Sequence, residues 1–92
     1  MKDYEEKDKG IATYLMTRKD VRFEGTEAVG DLLYFKFSPF DLAQKYADQY
    51  QALKAEPVQP KAFADAALII KNMIWKWRNG KDVNGGNYDG YR

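Results

Sequence analysis

The 92-residue chain has no cysteine and no histidine. Without cysteine there is no disulfide, thiol nucleophile, zinc ribbon or iron–sulfur cluster. Without histidine the commonest general base and the commonest metal ligand are both missing. No long hydrophobic run is present either. The strongest, Ala66 to Ile70, falls far short of the roughly 20 residues of a membrane span. Nor does one sign of charge dominate, since the net charge is +1. That balance argues against a strong electrostatic grip on DNA.

What is present suits one small globular domain. Apolar residues make up 45% and charged residues 32%, too apolar for wholesale disorder. A chain of this size buries only roughly 60–65% of its unfolded surface, so its core is thin. The start, MKDYEEKDKG, mixes acids and bases with no apolar stretch behind a basic end. It does not read as a secretory signal, and the cytoplasm is the expected compartment.

Charge is uneven along the chain. Residues 1–60 carry nine bases and eleven acids, residues 61–92 six bases and three acids. The final stretch, GKDVNGGNYDGYR, holds four of the seven glycines and no apolar period. The composition therefore divides the chain into a domain over 1–79 and a flexible glycine-rich tail over 80–92.

The periodicities predict the order helix, strand, strand, helix, helix. Asp8 caps a first helix whose Ile11, Tyr14, Leu15 and Arg18 share a side. Val21 and Phe23 alternate with Arg22 and Glu24 in a first strand. The segment GTEAVG connects it to DLLYFKF, where Leu33, Phe35 and Phe37 point one way and Leu32, Tyr34 and Lys36 the other. Ser38-Pro39-Phe40-Asp41 reads as a capping box with serine at the cap. The helix it opens carries a stripe of Leu42, Tyr46, Tyr50 and Leu53, widened by Ala43 and Ala47, and fades near Ala55 ahead of Pro57. A last helix over Pro60 to Arg78 repeats Phe63, Ala67, Ile70, Ile74 and Trp77 at steps of four and three. A two-stranded sheet is marginal alone. The hairpin is therefore expected to pack against the helices in a two-layer α+β domain.

Two surfaces stand out as surplus. Trp75 lies about 100° round the last helix from its core stripe, on a side shared with Leu68. Leu32 and Tyr34 lie on the outer sheet face. These four residues are the candidate protein-contact site, with a partner protein or a second copy of the chain as occupant. The segment IWKWRNGK supplies a second candidate. Lys71, Trp75, Lys76, Arg78 and Lys81 combine phosphate-neutralising cations with an indole, the chemistry of a weak nucleic-acid contact. Glu5 and Glu6, in a charged run, read as solvated. No nucleophile elbow, phosphate loop or dinucleotide fingerprint is present. DVNGGNYD lacks the ligand positions of a calcium loop. No catalytic residue, cofactor or metal is expected, and the composition favours a non-catalytic binding or adaptor module.

KDKGIATYL, a strand ending in YFKF, and VQPKAFADAALIIKNMIW after a capped helix together resemble a family of small domains of unknown function from bacteria, archaea and phages. The resemblance spans about Tyr4 to Trp77. It implies no particular activity and no functional residues.

Overall fold

The computed structural model describes residues 2–80. The elements run β1 (Tyr4–Glu6), α1 (Lys9–Met16), β2 (Arg22–Val29), β3 (Leu32–Ser38), α2 (Phe40–Gln51) and α3 (Pro60–Gly80). The domain is α+β, as the periodicities require, but a strand precedes the first helix. Among the described residues the sheet is antiparallel with three strands in the order β1-β3-β2. The expected tail lies at 80–92, and all of it past Gly80 is outside the described residues.

β3 is the centre of the fold. Its alternation buries Leu33, Phe35 and Phe37, with Phe35 wholly enclosed. Full burial of an aromatic or aliphatic side chain stabilises by about 1.5–3 kcal/mol, so this row is the sheet's main contribution. Facing it are Ile11, Ala12 and Leu15 of α1, Ala43 and Ala47 of α2, and Ile70 of α3. Alanine at three of these positions lets the helix backbones come close. Phe23 joins the same face, its ring centroid 5.5 Å from that of Phe37.

β1 was not legible as a strand because its inward position is a glutamate. Glu6 sits opposite Phe35 and is buried, not solvated. Its carboxylate accepts from the Tyr4 hydroxyl at 2.6 Å and from the Asp8 amide at 3.0 Å. Both oxygens are therefore satisfied, which a buried carboxylate requires. Asp8 caps α1 as expected, accepting from the Ile11 amide at 3.0 Å.

The connection read as GTEAVG is strand instead. β2 runs on to Val29, and only Gly30 and Asp31 join it to β3. Gly30 has φ 62°, as a two-residue hairpin with glycine at its first central position demands. Gly25, at φ 118°, sits where the register slips between Phe23 and Gly25, a bulge that takes the extra residue.

The expected cap of α2 shifts by one residue. Ser38 is still paired in β3, opposite Arg22, and its hydroxyl donates to Glu24. The cap position falls to Pro39, and no described side chain caps this helix. The Ser38–Pro39 peptide is cis. The far end of α2 also differs. The helix stops at Gln51, and Leu53 is 94% exposed, outside the stripe assigned to it. The Leu53 amide donates to the Tyr50 carbonyl at 3.1 Å and the Lys54 amide to the Gln49 carbonyl at 2.8 Å. That pair of bonds is a Schellman ending.

The Schellman ending requires a left-handed residue, and Leu53 adopts φ 61° there. A side chain in that conformation costs roughly 1–2 kcal/mol, partly offset in glycine by backbone entropy. With its side chain in solvent, Leu53 has little packing to lose. Leu53→Gly should therefore raise stability by about 0.5–1 kcal/mol, measured as a higher urea midpoint at unchanged slope. An unchanged or lower midpoint would contradict this account.

Candidate functional site

α3 is the longest element and carries most of the candidate residues. Its core face is Ile70 with Ala66, backed by Phe63, Met73, Ile74 and Trp77 at partial burial. At 100° per residue, Leu68 and Trp75 fall about 140–160° from Ile70. They are 56% and 51% exposed, with Ala64 and Lys71 on the same side. Asn79 donates its amide to the Trp75 carbonyl at 2.7 Å, and Lys61 pairs with Asp65 at 3.1 Å. Ile69, on another flank, is 46% exposed.

Leu32 and Tyr34 lie elsewhere. They occupy the sheet face opposite Leu33, Phe35 and Phe37, with Val29 directly across from Leu32. Leu32 is 44% exposed and Tyr34 half-buried. A Glu27–Lys36 pair at 3.8 Å borders them. The four candidate contact residues thus form two patches, each on the outer side of its own layer.

The nucleic-acid candidates are also divided. Lys71 and Arg78 share one flank of α3, and Trp75 projects beside them. Lys76 lies about 140° round the helix from Lys71. Lys81 lies outside the described residues. Lys71 and Arg78 line small clefts in company with Lys7 and Lys9, two residues that sequence reading passed over. Flanking the Asp8 cap, those lysines read as solvated charge. Only the long-range docking of α1 on α3 brings them to the same seam.

A cleft of about 580 Å³ opens where β2, β3 and the start of α2 meet. Pro39 and Phe40 form its apolar part, and the Lys2 ammonium lies 5.3 Å from the Phe40 ring centroid. Arg22, Asp20 and Asp41 stand at its rim. The Ser38 hydroxyl, then the Arg22 guanidinium at 3.3 Å, hold the Glu24 carboxyl below its ordinary range. Among the described residues no cluster of acidic side chains could hold a metal ion.

A second polar cluster is structural. Arg18 lies over the rings of Tyr14 and Tyr46, at 5.1 and 5.6 Å, and pairs with Glu56 at 3.0 Å. The buried Tyr14 hydroxyl accepts from the Glu56 amide at 2.9 Å. The chain between α2 and α3 is thereby fastened to α1. Gly10 belongs to the same packing, since a Cβ there would meet the Tyr50 hydroxyl at 2.9 Å.

Comparison with protein-family models, curated proteins and solved structures finds no match to this chain. Among the described residues, no helix is long and apolar enough to cross a membrane.

Burial, then its hydrogen bond to Glu6, pushes the Tyr4 phenol well above its usual 10.0. Hydrogen bonding to Asp20 at 2.7 Å moves Tyr46 in the same direction. The folded state therefore holds these protons more tightly than the unfolded chain. Their stabilisation is complete below about pH 10 and is lost as pH rises beyond it. Urea midpoints should fall above pH 10, and Tyr4→Phe should flatten that fall. An equal fall in the variant would remove Tyr4 as its cause.

Proposed function

We propose that this domain is a non-catalytic binding module acting through protein contacts, with a second copy of the chain as its partner. The contact surface is the outer side of α3. The supporting observation is the half-exposure of Trp75 and Leu68 on the side of α3 turned away from its core stripe. Ala64, Leu68, Lys71 and Trp75 follow one another at steps of four, three and four, the spacing of a helix-pairing seam. Indoles are among the side chains that carry most of the energy at protein contacts. The composition supports the same reading, since neither histidine nor cysteine is available for chemistry.

Charge favours an antiparallel pair. Setting Leu68 of one copy against Trp75 of the other brings Asp65 near Lys76 across the contact. Both lie on the same flank, about 90–110° from the centre of the stripe, and antiparallel helices join like flanks. The opposing term is Lys71, which meets its own copy near the two-fold axis. Its long stem covers apolar surface while the ammonium reaches solvent. A small patch of this kind belongs with weak, reversible interfaces.

Sedimentation equilibrium tests the proposal. A dimer should be populated at roughly 10–100 µM. Trp75→Glu should abolish it, and Lys71→Leu should tighten it. Asp65→Lys should weaken the dimer and Asp65→Lys with Lys76→Asp should restore it. A monomer throughout this range, or a dimer indifferent to Trp75→Glu, would overturn the proposal.

A further inference from the structure

Two grooves adjoin along α3, the first at its seam with α1 and the second between α3 and the start of β3. One, of about 370 Å³, is lined by Phe63, Ala67, Ile70 and Lys71 of α3. The next, of about 130 Å³, lies between Ile74, Trp77 and Arg78 of α3 and Leu32, Leu33 and Phe35 of β3. Lys9 lines both, so they adjoin at its side chain. Lys7 stands at the second groove as well. Residues 67, 71, 74 and 78 form one row along α3, and the grooves follow it.

We infer that the two grooves form a binding cleft for single-stranded nucleic acid. Four cations from two separate stretches of chain, Lys7 and Lys9 on one side and Lys71 and Arg78 on the other, converge on it. Asp31 is the one acidic residue among its described lining. Other acids nearby are engaged: Glu6 by Tyr4 and the Asp8 amide, Asp8 by the Ile11 amide. Among the described residues none of the four cations is in an ion pair. The bottom of the cleft is aromatic and aliphatic, with Phe63 and Trp77 at its two ends. Cations that follow a backbone beside rings that accept a base face are the two parts of a single-strand site. The grooves are too small for a duplex, whose grip would also need a broader basic surface. This inference goes beyond the self-pairing proposed above; it uses neither Leu68 nor Trp75, and Lys71 is the one residue the two sites share.

The experiment uses the full chain carrying Trp75→Phe, which leaves Trp77 as the reporter. Titration with fifteen-nucleotide oligo-dT and oligo-rU at low salt should quench its fluorescence, and the stronger ligand identifies the preferred strand. Four neutralised phosphates give a salt slope of about −3, so affinity should fall about fifty-fold between 50 and 200 mM salt. Adding Lys7→Gln and Arg78→Gln should weaken binding and reduce the slope by about 1.4. Lys76→Gln, on the other flank of α3, should change it least. Circular dichroism melts confirm that each variant is folded. No quenching at low salt would overturn the inference. So would quenching unchanged by Lys7→Gln with Arg78→Gln, or an acidic oligoglutamate peptide binding as tightly as either oligonucleotide.

Discussion

The need to cover one row of side chains on β3 governs the whole architecture. Leu33, Phe35 and Phe37 alternate on a central strand, and an exposed row of that size would cost more than a domain this small can spare. β1 and β2 extend the surface on either side, while α1 and α2 lie against it through Ala12, Ala43 and Ala47. Small residues there bring the helices close, so the core is dense but shallow. A shallow core has little room for further large side chains. Apolar groups on the outer sides of the layers, Val29 and Leu32 on the sheet and Leu68 and Trp75 on α3, have no interior left to enter.

The length of α3 makes that surplus larger. It has 21 residues, against eight in α1, the helix on which it chiefly packs. At 1.5 Å per residue the two differ by roughly 20 Å. A helix so much longer than its support needs only one narrow stripe for docking. Ile70 and Ala66 supply it, and the remaining faces are set by whatever the docking leaves outside. On one flank that is Lys71 and Arg78 beside Lys7 and Lys9. Next to them, farther round from the core, it is Leu68 and Trp75.

Features with a local cause could be read from the sequence. The alternation of β3, the three-and-four spacing of α3 and the Asp8 cap each depend on neighbours within a few residues, and each appears in the fold. The departures have distant causes. Glu6 is an inward strand residue only because Tyr4 and the Asp8 amide bind its carboxylate. The segment GTEAVG has weak strand propensity, yet pairing with the well-anchored β3 carries it to Val29, an example of tertiary context overriding local preference. Ser38 lost its capping role because its hydroxyl found Glu24 across the sheet. The site follows the same division. Trp75 and Leu68 could be placed outside the core from helical phase alone. Lys7 and Lys9 could not be joined to Lys71 and Arg78 without the packing of α1 on α3.

Both proposed activities then depend on a single rotation. The phase of α3 about its axis is fixed where Ile70 enters the core, 1% exposed and in one cluster with Leu15 and Phe35. With Ile70 inward, the seven-residue step from Lys71 to Arg78 lies along the seam, and the seven-residue step from Leu68 to Trp75 lies outside it. Turning the helix by one residue, about 100°, would bury Lys71 and bring Ile69 outward, at the cost of an unpaired charge in the core. That cost locks the phase. The proposed pairing surface and the proposed strand cleft are therefore consequences of one buried isoleucine, and they sit on adjoining faces of the same helix. A second copy docked on Leu68 and Trp75 would border the cleft at Lys71, which belongs to both surfaces, bringing two cation rows together on one assembly. Two such rows bound to one strand would gain by effective concentration, so a weak self-association and a weak strand affinity would reinforce each other.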